Sequence, residues 1–241
     1  MRLGISIPDY FYIASVDLME DRIKLFIYDV DGVLNDYVPR NYREYLSNQC
    51  AFTTEEVSAM IKPIVVEISS GKIDAGEFDR KVARLLGMTP EQVDWEGYYE
   101  RIRLNEGTLG IVKELRSQGY KLAILTNEDA SRYSVIQRVL SPMFDASFAS
   151  YAMPAIKPNP VAYEYVIEKV GLMSGAPIKN NEVVFIDDSM ENVESAAKIG
   201  IHALHFSTSE KLQADLRALL KTDIKAIQRE SRIDAQKKRV T

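Results

Sequence analysis

The sequence predicts an α/β fold, a doubly wound parallel sheet with an α-helical insert after its first strand. Three observations predict it. Four short runs are apolar along nearly their whole length: KLFIYD (24–29), KLAILT (121–126), EVVFID (182–187) and HALHF (202–206). Strands covered on both faces read this way, whereas half-exposed strands alternate. Helical patterns separate the later runs. Between Asp36 and Leu104, by contrast, the pattern is helical without a good strand.

The first strand ends at Asp29 and runs into DVDGVLND (29–36). In the insert, Thr53 or Thr54 is a helix cap ahead of Glu55 and Glu56. Asp74 with Glu77 has capping-box spacing, and Gly87 stops the run DRKVARLL. Thr89 caps again, with Pro90 at the first helical position and Gln92 three residues after the cap. A connection of this length is seldom a loop. It reads as a small helical domain over the carboxyl edge of the sheet.

Past the insert, Leu109, Val112 and Leu115 recur at helical spacing, with Gly119 as the stop. ASFAS (146–150) is a weaker fifth strand. A helix over Val161, Tyr165 and Ile167 to Val170 ends at Gly171, and one over Val193, Ala196 and Ala197 at Gly200. Leu212, Leu216, Leu219 and Leu220 form the last apolar face, before a polar, mostly basic tail. The expected division is a core of residues 1–37 and 105–220, a helical domain over 38–104, and a tail over 221–241.

The bulk composition of the 241 residues is that of a water-soluble globular chain, 46% apolar and 27% charged. A formal net charge of -5 argues against nucleic acid or an anionic membrane as the main partner. No stretch reaches the roughly 18 apolar residues of a membrane helix. Pro8 and Asp9 interrupt the N-terminal segment, which does not read as a signal peptide. Cys50 is the single cysteine, so no internal disulfide forms and a cytoplasmic location is expected.

Open α/β sheets bind ligands beyond the carboxyl ends of their strands. The residues there are Asp29, Asp31, Thr126, Asn127, Asp187 and Asp188. Four carboxylates gathered at one edge repel unless a cation neutralises them, and a hard divalent ion, by default Mg2+, suits oxygen ligands. In the DxDG turn one acid can attack while the other handles a proton. Taken alone, the same turn also fits calcium binding or loop capping. Thr126 and Asn127 can donate to phosphate oxygens, and Lys157, in IKPNP, can neutralise an oxyanion.

The order DxDG, Thr–Asn, Lys, Asp–Asp resembles the haloacid dehalogenase (HAD) superfamily. The subgroup is the one with a helical cap after the first motif. The stretches KPNPVAYEYVIEKVGL and EVVFIDDSMENVESAAKIGIHALHF particularly resemble its sugar-phosphatase-like members. The resemblance runs from about Lys24 to Leu220. It implies a Rossmann-like core, Asp29 as a nucleophile that forms an aspartyl-phosphate, and Asp31 as general acid and base. It further implies Thr126, Asn127 and Lys157 as phosphate ligands, and Mg2+ held by Asp29, Asp188, Asp187 and the Asp31 backbone carbonyl. Asn192 falls where many relatives carry an acid.

The implied activity is hydrolysis of a phosphate monoester, a sugar phosphate or related small phosphorylated metabolite, by a monomer or homodimer. Alternatives are a phosphomutase of the same superfamily and a non-catalytic phospholigand-binding protein. Dehalogenating members lack the second acid of the first motif, and Asp31 is present. Phosphonate cleavage needs a cap lysine that forms an imine, and Lys62, Lys72 and Lys81 sit in no such motif. Specificity is expected from the insert, with Trp95, Tyr98, Tyr99, Arg101 and Arg103 as candidate contacts.

Overall fold

The structure, a computed structural model, describes residues 22–36, 42–94, 98 and 103–220. Five parallel strands form the main sheet: β1 (Leu25–Tyr28), β4 (Lys121–Thr126), β5 (Ala146–Ala149), β6 (Val183–Asp187) and β7 (His202–His205). Their order is β5-β4-β1-β6-β7, with β1 in the centre. Each apolar run of the sequence lands on one of these strands. Leu25 pairs with Lys121 on one side and Val183 on the other, and Tyr28 with Ile124 and Ile186. That register brings the carboxyl ends of β1, β4 and β6 level.

Both faces of the sheet are covered, and successive residues serve opposite layers. Phe26, Tyr28, Leu122, Ile124, Val184 and Ile186 face one side. They pack with α5 (Glu106–Ser117), α6 (Ala130–Leu140) and the helix over 209–220, here α9. Leu25, Ile27, Ala123, Leu125, Val183 and Phe185 face the other side, under α7 (Pro160–Ser174) and α8 (Met190–Lys198).

Gly171 does not end α7, which continues to Ser174 and stops at Gly175 with a left-handed φ of 73°. Gly171 is small for a different reason. A Cβ there would stand 3.2 Å from the Ala176 carbonyl oxygen, where the chain folds back on the helix. The helix starts at Pro160, capped by Asn159.

The interval between β1 and β4 is helical, as its pattern predicts. It holds α1 (Tyr42–Ser47), α2 (Thr54–Ser69), α3 (Ala75–Leu86) and α4 (Pro90–Val93). Thr53 caps α2 in a complete capping box with Glu56, and the Asp74 side chain accepts the Glu77 N–H at 2.7 Å. Val57, Ile61, Phe78, Val82 and Leu86 form a hydrophobic cluster of these helices, separate from both layers of the sheet. Two short strands at its borders have no periodic signal in the sequence. They are β2 (Asn35–Asp36) and β3 (Arg103–Leu104), paired antiparallel. Chain entry and exit thus form one ribbon, and the Asn105 N–H donates to the Leu34 carbonyl at 2.9 Å. No helix among the described residues is long and apolar enough to cross a membrane.

Candidate active site

The strand register collects the predicted residues at one edge. Asp29 follows β1, its N–H donating to the Ile186 carbonyl at 2.9 Å. The chain then turns sharply, with Leu34 and Asn35 N–H groups both donating to the Val30 carbonyl and Gly32 at φ 74°. The Val30 N–H donates to Asp29 Oδ1 at 2.7 Å, which fixes that carboxylate against the turn.

Lys157 is a buried cation between Asp29 and Asp187. Its Nζ lies 2.8 Å from Asp29 Oδ1 and 2.7 Å from Asp187 Oδ2. Burial alone would lower its pKa, but the two carboxylates outweigh that and hold it above the ordinary lysine range. Asn127 positions this lysine. Its Oδ1 accepts the Lys157 N–H at 3.0 Å, and its Nδ2 donates to the Lys157 carbonyl at 2.9 Å. The Asn127 side chain therefore clamps the Lys157 backbone. Thr126 is buried at the end of β4 beside it.

Asp187, fully buried, is held on every side. It accepts the Ser189 N–H at 2.8 Å, and Asn192 Nδ2 lies 3.0 Å from each of its oxygens. Asn192 is itself buried and anchored, its carbonyl accepting the Tyr163 hydroxyl at 3.0 Å. Asn192 is thus a neutral donor that spans the Asp187 carboxylate.

One carboxylate oxygen each of Asp29, Asp187 and Asp188 falls within 4.8 Å of the others. Burial pushes the Asp29 carboxyl well above its usual range despite Lys157, with Asp187 and Asp31 adding to the rise. Burial, then Asp187, also raises Asp188. Three acids share one lysine, so the cluster carries more negative than positive charge. A hard divalent cation fits that deficit and that all-oxygen donor set.

The Asp31 side chain is outside this trio. Its Oδ1 accepts Asn35 Nδ2 at 2.8 Å and forms an ion pair with Arg132. Arg132 Nε lies 2.9 Å from Glu128 Oε1. Both Arg132 and Glu128 are buried, and burial raises the Glu128 carboxyl well above its usual range against the pull of Arg132. Sequence reasoning missed this pair. The only signal is an acid directly after Thr–Asn with an arginine four residues on, which by itself reads as a solvated helical turn.

Of the predicted specificity residues, Tyr98 is buried against Tyr42 and Tyr45, with ring centroids 4.8 and 5.3 Å away. It belongs to the core of the helical segment and is 5% exposed. Arg103 is exposed on the ribbon. Trp95, Tyr99 and Arg101 lie outside the described residues.

Acids that follow the parallel strands β1 and β6 converge on a buried lysine at one edge of the sheet, the arrangement of a candidate enzyme site in an α/β fold. The chain belongs to the haloacid dehalogenase-like hydrolases, whose family profile matches residues 23–200. It is similar to a sesquiterpene phosphatase, astK, of Aspergillus oryzae, at 29% identity over 46% of this chain. That match spans about half, 54%, of the relative's own length. Similarity to a phosphoglycolate phosphatase of Aliivibrio fischeri is 25% identity over 77% of this chain and 84% of that one. For the pyrophosphatase PpaX of Bacillus mycoides it is 24% over 82% and 89%. The fold matches a HAD family enzyme from Bacteroides thetaiotaomicron, solved as a magnesium complex (TM-score 0.63, 21% identity, 77% of this chain and 94% of that one). It also matches a HAD-like hydrolase from Porphyromonas gingivalis (TM-score 0.64, 23% identity, 82% and 98%).

Proposed function

We propose that this chain is a magnesium-dependent phosphatase that hydrolyses a small phosphate monoester, a sugar phosphate or related metabolite, through an aspartyl-phosphate on Asp29. The observation that carries the reading is the Asp29–Lys157–Asp187 arrangement with Asp188 alongside. The phosphatase names of several relatives support it.

In this reading the Asp29 carboxylate attacks phosphorus, and the bond to the ester oxygen breaks. Asp31 gives its proton to that departing oxygen. It then takes a proton from water, which attacks the phosphoryl group and frees phosphate and Asp29. Such chemistry is driven by positioning and by stabilising charge on the transferred group. Thr126, the Asn127 backbone and Lys157 bind the phosphoryl oxygens, with the Asn127 side chain holding Lys157 in place. Asp29, Asp188, Asp187 and the Asp31 carbonyl would hold Mg2+, which supplies neutralising charge when bound. The helical segment 38–104 acts as a cap over the core of residues 1–37 and 105–220, working in the cytoplasm.

The test is release of inorganic phosphate from 4-nitrophenyl phosphate by wild type and Asp29→Asn. An amide keeps the volume but cannot attack phosphorus, so a folded variant should be inactive. Retention of more than about a few per cent of the rate, far above the losses general for removed nucleophiles, defeats the assignment.

A further inference from the structure

We propose that Arg132, braced by Glu128, is a positioning residue that aims the Asp31 carboxyl at the leaving group. The inference rests on the phosphatase reading above and adds two residues to it. Asp31 has to meet the ester oxygen in one half of the reaction and water in the other. Its carboxyl is partly exposed at the site mouth, at 21%. Left alone, a side chain there would sample several rotamers.

Asn35 and Arg132 both meet the same Asp31 oxygen, Oδ1. Asn35 reaches Oδ1 from the turn that carries Asp31 itself. Arg132 reaches it from the first turn of α6, beyond the end of β4. Arg132 thereby ties the turn after β1 to the turn after β4, across which the phosphoryl group would lie.

An arginine on a helix start ordinarily stays in water, because burying a guanidinium is costly unless its donors are matched. Here only 3% of the Arg132 side chain is exposed, and its fork is divided between Asp31 and Glu128. Glu128 Oε1, 2.9 Å from Nε, pairs with the guanidinium and restrains the Nη2 that meets Asp31. The planar fork makes this possible, and a lysine ammonium could not hold both partners in fixed geometry. Glu128 follows Thr126 and Asn127 directly, so the strand end that offers phosphate donors also anchors the brace.

A positioning role has a kinetic signature that a purely structural one lacks. A nitrophenolate leaves without a proton, whereas a poorer leaving group needs one from a well-aimed acid. The experiment measures kcat/KM on a series from 2,4-dinitrophenyl to phenyl to 4-methoxyphenyl phosphate. It compares wild type with Arg132→Lys and Glu128→Gln.

Expected for Arg132→Lys is a loss of about threefold on the dinitrophenyl ester and about 30-fold or more on the phenyl and methoxyphenyl esters. These figures lie within the usual range for an impaired general acid. Glu128→Gln should tilt the series the same way, less steeply, and it carries the test if the arginine variant does not fold. Equal loss across the series, or no loss, overturns the proposal while the phosphatase reading stands. A wild type inactive on every ester sinks the reading and the proposal together.

Discussion

Asn35 links the chain's route to the helical segment with the acid of the site. Its backbone pairs with Leu104 in the two-strand ribbon, and its side-chain Nδ2 lies 2.8 Å from Asp31 Oδ1. A shift of the ribbon therefore moves a ligand of Asp31. Asn35→Ala removes one of the two groups on that oxygen. Hydrogen bonds to charged groups contribute about 1.5–3 kcal/mol, so kcat/KM on phenyl phosphate should fall roughly tenfold. Asn35→Asp should lose more, since it sets a second carboxylate against Asp31. Steady-state kinetics on both folded variants check this, and a rate equal to wild type in Asn35→Asp would show that the contact does not matter.

The acidic trio sets an expectation for metal. Excess chelator should abolish activity and magnesium should restore it. Calcium should inhibit, because its looser and higher coordination misplaces the nucleophile. Magnesium should also raise the melting temperature by binding only the folded state. Asp188→Ala should shrink that rise and increase the magnesium needed for half-maximal rate by about tenfold or more, the scale of a lost ligand or its support. Thermal shift and a magnesium titration measure both. Undiminished turnover in chelator would overturn the metal requirement.

The sheet and the candidate site at its edge were legible because burial on both faces writes itself as continuous apolar runs. The acids then follow those runs directly, as Asp29 follows LFIY and Asp187 closes VVFID. The ribbon was not legible, since a two-residue pairing such as Asn35 with Leu104 leaves no period. Gly107 is the second residue of α5. A Cβ there would collide with the Ser209 side chain, so close packing explains it. Arg132 and Glu128 were hidden for a third reason. An acid and a base four apart look alike in water and in a core, and only the tertiary fold decides which they occupy.

Tyr98 shows the same ambiguity in the other direction. Among aromatics in the insert it suited a substrate contact, yet it is 5% exposed within the helical cluster. Tyr98→Ala should therefore act on stability. Large aromatic-to-Ala changes in cores typically cost about 3–5 kcal/mol. The melting temperature should drop, and activity should fall by a similar factor on every phosphate ester. A selective change on one substrate with an unaltered melting temperature would return Tyr98 to the substrate-contact role.

The helical segment also touches the core away from the ribbon, at the turn between α2 and α3. Ser150 Oγ donates to the Ser69 carbonyl at 2.5 Å, just past β5. Gly71 has φ +70°, and a Cβ there would stand 2.9 Å from the Tyr151 carbonyl oxygen. Beside this contact lies a cleft of about 360 Å3, lined by Ile68, Lys72, Asp74, Asp129, Ser131 and Tyr151. Asp129 is two residues from Asn127, so the cleft adjoins the site. Gly71→Ala forces a left-handed L-residue, at a cost of about 1–2 kcal/mol, and presses a methyl group on a backbone oxygen. The turn should lift off the core and alter the cleft. A natural leaving group large enough to reach the cleft should then suffer more than 4-nitrophenyl phosphate, by at least about fivefold in kcat/KM, the effect of roughly one lost contact. Ser150→Ala removes the other contact without strain and should shift the same ratio less. Ratios measured across a panel of phosphorylated metabolites decide the matter. Uniform loss on all esters in both variants would mean that the contact only supports the fold.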